Sequence, residues 1–195
     1  MMRFTCLLFI VLAAFACLYL GGSSATVVGQ SLEETYDATR KAYDQTLNQL
    51  EQCDENFYEF QQMFKRNRPA ADAPKEAWDA WARSYKDWMG LMTGCMRKLK
   101  ADADVLKKKL EELQQQLDAI EADEEEKGPP AKDAKDKHAK AKELLIKGAT
   151  DLEKWKLGLK LRVGQMHKMC GEASSEVEKH GSGKVKIEPY FKYDF

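Results

Sequence analysis

The most regular feature of the chain is a recurrence of core-type positions at alternating steps of three and four residues. The first run comprises Leu32, Tyr36, Thr39, Tyr43, Thr46, Leu50, Cys53, Phe57, Phe60 and Phe64. This spacing is typical of a helix that packs lengthwise against other helices. Two later segments repeat the spacing, so the sequence predicts an all-α fold: an elongated antiparallel three-helix bundle with coiled-coil-like heptad packing.

Capping residues and helix breakers predict where these helices begin and end. Ser31 with Glu34 three residues later forms a capping box, which predicts the start of the first helix. Pro69 ends it, Pro74 suits the first turn of the second helix, and Gly128 with two following prolines ends that helix. We therefore expect helices over about 31–68, 74–126 and 131–180 within a bundle of residues 26–181.

Residues 1–25 have the pattern of a secretory signal peptide. Arg3 precedes apolar or small residues from Phe4 to Leu20, and small residues at 23–25 suit signal peptidase. We expect a mature chain that begins at Thr26 and is secreted to the extracellular space. An uncleaved membrane anchor is the alternative, because the apolar run is just long enough to span a bilayer. No segment after the signal is expected to cross a membrane.

The last segment, 182–195, departs from the helical period. Val185 and Ile187 alternate with charged residues, and the aromatic residues Tyr190, Phe191, Tyr193 and Phe195 follow. We expect this non-helical tail to fold back on the bundle. The alternative is that it binds another surface.

Charge and motifs exclude several classes of function. The chain has 31 basic and 32 acidic residues, and the signal contains one basic residue and no acidic residue, so the mature chain has no basic excess for nucleic acid. It lacks the serine-hydrolase and zinc-protease motifs. His167 and Cys170 lie one helical turn apart, but two ligands do not make a zinc site. We expect no enzyme activity, metal or cofactor.

Three cysteines remain after the signal: Cys53, Cys95 and Cys170. In an oxidising compartment two of them should pair. Counting from the predicted helix ends places Cys53 level with Cys170 and leaves Cys95 roughly two helical turns away. We therefore predict a Cys53–Cys170 disulfide, with Cys95 as a buried thiol or as the link in a homodimer. An error of a few residues in the helix ends would reverse this pairing.

An aromatic cluster is predicted where the first two helices meet. Its members are Phe57, Phe60, Phe64, Trp78, Trp81, Tyr85 and Trp88. The simplest interpretation is a bulky core, and the alternative is a binding surface or a pocket for an apolar ligand. Gly90 and Gly94 are also predicted to lie at the height of Gly164 on the third helix, which suggests a close approach of two backbones.

The function expected from these features is that of a secreted, non-enzymatic interaction or structural protein. Its partner would be another protein, which the sequence does not identify. The alternative function is an extracellular carrier of an apolar small molecule or lipid that uses the aromatic end of the bundle.

Overall fold

The structure of the protein is a computed structural model that describes residues 31–128 and 132–187. The predicted signal peptide and the tail residues 188–195 lie outside the described residues. Three helices account for most of the described chain: α1 (Leu32–Arg66), α2 (Lys75–Lys127) and α3 (Lys132–His180). They pack as a three-helix bundle, and the predicted all-α fold class is therefore confirmed.

Local chemistry determines how the helices begin and end. At the start of α1 the Ser31 side chain accepts a hydrogen bond from the Glu34 amide, and the Ser31 amide donates to the Glu34 carboxylate. These two bonds satisfy backbone donors that a helix start otherwise leaves unpaired. Pro74 is the N-cap of α2. Gly128, at φ 96°, ends α2 in a left-handed conformation that a side chain would disfavour.

Contacts at the two ends of the bundle establish the helix directions. Near one end the Phe64 and Trp81 rings lie 5.1 Å apart, whereas farther along the Thr39 hydroxyl reaches the Lys109 carbonyl at 3.2 Å. The helices α1 and α2 are therefore antiparallel. The same reasoning makes α3 parallel to α1, because Glu33 pairs with Lys137 at one end and Arg68 pairs with Glu176 at the other.

The helices are staggered at the aromatic end. Because the Thr39 hydroxyl reaches the Lys109 carbonyl, the start of α2 lies about seven residues, or ~10 Å, beyond the end of α1. His180, the last residue of α3, stacks on Trp78 with ring centroids 4.8 Å apart, so α3 also extends past α1. Residues 67–74 cover this gap, and Ala73 packs against the aromatic core.

The stagger shows that the predicted disulfide pairing is wrong. The disulfide joins Cys53 to Cys95, with Cα atoms 5.9 Å apart, so Cys95 is not available to link a homodimer. The prediction assumed level helix ends, but the shift of α2 brings Cys95 down to the height of Cys53. Cys170 is a buried thiol that lies ~13 Å farther along the bundle, as the Arg68–Glu176 pair indicates.

The core changes character along the bundle. At the aromatic end it is built from large side chains of α1 and α2, with Met166, Cys170 and Val177 from α3. Toward the α2–α3 hairpin the core consists mainly of leucines from α2 and α3. There α1 contributes small buried residues, Thr35, Thr39 and Thr46. This part of α1 can therefore approach α2 closely.

The predicted close approach at Gly90, Gly94 and Gly164 is wrong. A methyl group added at any of these positions would meet nothing within 4 Å. The tight position is Gly148 on α3, where an added Cβ would lie 2.8 Å from a methyl group of Leu110. Helix height alone did not distinguish Gly148, which lies on the packed face, from glycines on the solvent face.

No helix among the described residues is long and apolar enough to span a membrane.

Candidate functional site

The aromatic cluster predicted as a binding surface forms the core of the bundle. Trp78 and Phe60 are each 1% exposed, Trp81, Tyr85 and Phe57 are also buried, and Phe64 and Trp88 are partly buried. The rings contact one another in edge and tilted geometries, including Phe60 with Tyr85 at 5.5 Å and Trp78 with Trp81 at 5.7 Å. The seven predicted residues are thus brought together, but they face each other instead of solvent.

Little space remains within this cluster. The cleft between Phe60, Phe64, Trp81 and Trp88 has a volume of about 20 Å³, which accommodates about one water molecule. An apolar ligand of lipid size would have to separate α1 from α2 to enter there. The disulfide and the ring contacts oppose that separation.

The aromatic end is closed by a clamp between the start of α2 and the end of α3. The Asp79 carboxylate accepts hydrogen bonds from the Ser182 hydroxyl at 2.5 Å and from the Ser182 amide at 3.1 Å. These hydrogen bonds hold the pKa of Asp79 below its usual value. Ile187 is buried in the aromatic core and Val185 packs against it, so this part of the tail folds back on the bundle. The aromatic residues of the predicted tail lie outside the described residues.

The thiol of Cys170 belongs to the same core. Burial, together with the neighbouring Cys170 thiol, raises the pKa of Tyr85 well above its usual value. Cys170 thus packs beside Tyr85 within the aromatic core. His167, in contrast, is exposed on the surface of α3, so the two residues considered as metal ligands point to different environments. No group of three metal-binding side chains occurs within 31–128 and 132–187.

A different surface remains open, which we call the α1/α3 groove. At the aromatic end its volume is about 430 Å³. There it lies between Gln61, Lys65 and the loop residue Arg68 on one side and Gln165, Lys168 and Glu172 of α3 on the other. Near the α2–α3 hairpin it is lined by Leu32, Glu33, Tyr36, Asp37, Lys137 and Lys140, with a volume of about 160 Å³. Both helices pack on α2, and the groove is the solvent-facing gap between them.

Polar contacts bridge the α1/α3 groove along its length. Glu33 pairs with Lys137, Asp54 with Arg162 and Arg68 with Glu176. Between these ion pairs the Tyr43 hydroxyl donates to the Asp151 carboxylate at 2.7 Å. This hydrogen bond holds the pKa of Asp151 below its usual value, while burial and the same contact raise the pKa of Tyr43 to about 12.

Large apolar side chains are exposed beside this groove and on the outer face of α3. Tyr58 on α1 is 63% exposed, and Ile146, Leu157 and Leu161 on α3 are 68%, 61% and 62% exposed. The sequence interpretation missed these residues. Their signal was available, because all four are large and apolar but fall outside the three-and-four pattern of core positions.

Comparison of the chain with models of protein families, with curated proteins and with solved structures finds no significant match. Function must therefore be argued from the surface chemistry described above.

Proposed function

We propose that the protein is a secreted, non-enzymatic helical bundle that acts by binding another protein chain through the α1/α3 groove. The single observation that carries this proposal is the exposure of Tyr58 and Leu161 beside the groove, while the tryptophans are buried. Exposed large apolar residues with charged neighbours are typical of protein interfaces. Secretion is proposed from the signal-like residues 1–25, and an intramolecular disulfide is compatible with it.

The shifted pKa values do not identify a catalytic group. Asp79, Tyr43, Asp151 and Tyr85 have displaced pKa values, and each displacement arises from burial or from a contact within the bundle. Catalytic groups are usually found with shifted pKa values inside a cleft that also admits substrate. The carrier function weighed as an alternative would require the aromatic core to open, because its cleft accommodates about one water molecule.

Native mass spectrometry of the protein purified from the medium of its own producing cells tests this proposal. We expect the mass of the chain that begins at Thr26 plus the mass of at least one further polypeptide. A bound small molecule in place of a polypeptide would favour the carrier function. Recovery of intact Met1 in the membrane fraction would contradict secretion.

A pair of matched variants tests which surface is used. Leu161→Asp adds a charge beside the groove and should abolish the association, because binding would bury that charge. Leu91→Asp introduces the same charge at a residue of α2 that is 66% exposed. It should leave the association unchanged. Equal effects of the two substitutions would contradict the assignment to the groove.

A further inference from the structure

Two complementary stripes of side chains run along the rims of the α1/α3 groove. The α1 stripe consists of Asp37, Asp44, Glu51 and Tyr58, and the α3 stripe consists of Lys140, Lys147, Lys154 and Leu161. Each stripe has a strict spacing of seven residues, so its members lie on one side of a supercoiled helix. Three acids, Tyr58 and then Lys65 thus run parallel to three lysines, Leu161 and then Lys168.

The two stripes match in height. Contacts across the groove join residues separated by 104 to 108 positions, as in Glu33 with Lys137 and Tyr43 with Asp151. Most of these contacts join residues 108 positions apart, so Asp44 lies within about two residues of the height of Lys154, and Asp37 lies between Lys140 and Lys147. In the same register Tyr58 lies near the height of Lys168.

Within the described part of one chain the two stripes do not form ion pairs with each other. Within 31–128 and 132–187 no ion pair joins a member of one stripe to a member of the other. Asp44 pairs with Arg40 on its own helix, and Lys154 pairs with Asp151 on its own helix. The Lys147 ammonium lies 5.3 Å from the centre of the Tyr43 ring. The two stripes therefore do not pair with each other, and their charged contacts are with other groups of the same chain.

We infer that the groove binds a second copy of this chain, with the two bundles parallel and related by a two-fold axis along their length. Such an axis places the α1 stripe of each copy opposite the α3 stripe of its partner, because a two-fold interface is self-complementary. Rotation about the long axis preserves height, so Asp44 would meet Lys154 of the other copy, and Asp37 would lie between its Lys140 and Lys147. This inference rests on the proposed function, for which it names the partner.

Charge reversal provides a decisive test by analytical ultracentrifugation of protein purified from the medium. Wild-type protein should sediment at twice the mass of one chain, and the dimer should weaken as salt is raised, because exposed charges are screened. Asp44→Lys/Glu51→Lys makes both rims basic, and Lys147→Glu/Lys154→Glu makes both rims acidic. Each variant alone should associate at least about tenfold more weakly, because like charges then face each other.

Mixing the two variants should restore dimers, because every acidic rim then faces a basic one. Lys107→Glu/Lys108→Glu on α2, away from the α1/α3 groove, is the matched control and should leave the dimer unchanged. Circular dichroism and peptide mapping of the disulfide establish that each variant is folded. Unchanged association in both rim variants, or a mixture that remains monomeric, would overturn the inference.

A second measurement requires no substitution. Isotopically light and heavy wild-type chains are mixed and treated with a carbodiimide, which joins neighbouring carboxylates and amines. We expect mixed-isotope cross-links between Asp44 and Lys154, and their absence would overturn the dimer. Wild-type protein that sediments as a single chain yet binds vesicles of anionic lipid would assign the lysines to a membrane and also overturn it. A third outcome is that ultracentrifugation shows no second copy of the chain, while native mass spectrometry detects a different polypeptide bound to it. That outcome would overturn the dimer and support the proposed function.

Discussion

Helix α1 contacts its two neighbours by different means. Toward α2 it presents Phe60, Phe64 and the disulfide at Cys53, and it buries nearly all of this surface. Toward α3 the described contacts include ion pairs and the hydroxyl of Tyr43, beside an open groove. Burial of large apolar side chains contributes far more to stability than ion pairs at a surface. The α1/α2 side is thus suited to hold the fold, whereas the α1/α3 side is available for binding.

The sharpest way to test this difference is to remove a buried ring. Trp78→Ala should lower the free energy of unfolding by about 5 kcal/mol, because it removes packing against Trp81 and His180 from a site that is 1% exposed. Tyr58→Ala, the exposed control, should change it by no more than about 0.5 kcal/mol. Urea unfolding measures both. Equal losses of stability would mean that the aromatic end and the rim of the groove contribute equally to the stability of the fold.

Removal of the disulfide should have the next largest effect. Cys53→Ala/Cys95→Ala opens a loop of 42 residues and should reduce stability by about 4 kcal/mol, chiefly because the unfolded chain gains freedom. Cys170→Ala is the control, and it should cost about 1 kcal/mol while the bridge remains intact. Peptide mapping without reductant should recover Cys53 joined to Cys95. A bridge that includes Cys170 would contradict the stagger of α2.

The hydrogen bond between Tyr43 and Asp151, on the α3 side, should contribute less to stability than the disulfide does. Its contribution should depend on pH. Tyr43→Phe removes the hydrogen bond to Asp151 and should reduce stability by about 1.5 kcal/mol at neutral pH. Asp151 has a lowered pKa in the folded state, so its contribution should be lost as pH falls through that lowered value. Tyr43 has a pKa raised to about 12, so its contribution should be lost as pH rises from about 10 to 12.

Urea unfolding across this pH range measures the effect of Tyr43→Phe. The difference between wild type and the variant should be largest near neutral pH and should shrink at both extremes. A difference that is independent of pH would mean that the hydrogen bond does not stabilise the bundle through the charge of Asp151.

Glycine substitutions should give the smallest effects and should differ in sign. Gly90→Ala, Gly94→Ala and Gly164→Ala should each raise the free energy of unfolding by up to ~1 kcal/mol, because alanine favours the helix and the added methyl group meets nothing. Gly148→Ala should lower it, because its methyl group would collide with Leu110. Thermal unfolding of the four variants tests this contrast. A destabilising effect at Gly90 would restore the close approach that the sequence suggested.

Local signals made the helices predictable. The capping box at Ser31, the proline at 74 and the glycine at 128 act on the backbone beside them, so their effects could be inferred without the rest of the fold. The stagger of α2 could not be inferred in this way. It depends on how Ala73 and the tail residues Val185 and Ile187 pack against the aromatic core, which involves segments distant in sequence.

The candidate site was predictable only in part. The sequence indicated that Trp78 and Trp81 would meet the phenylalanines of α1. Trp81 packs on Phe64, whereas the ring contacts of Trp78 are with Trp81 and His180, and burial is a property of the assembled bundle. Leu161 was recognisable as an apolar residue outside the core pattern. Its height relative to Tyr58 became clear only from contacts between the parallel helices.

The position of the disulfide has a mechanical consequence. Because it joins α1 to α2, α3 is the one helix of the bundle without a covalent cross-link to another helix. Tension applied between the C-terminus and the rest of the chain would therefore pull Ile187 out of the aromatic core, then break the contact between Ser182 and Asp79, and then peel α3 away. The chain released in this first step would be no longer than α3 and the tail. The hairpin of α1 and α2, which the disulfide joins, would open only at a greater force.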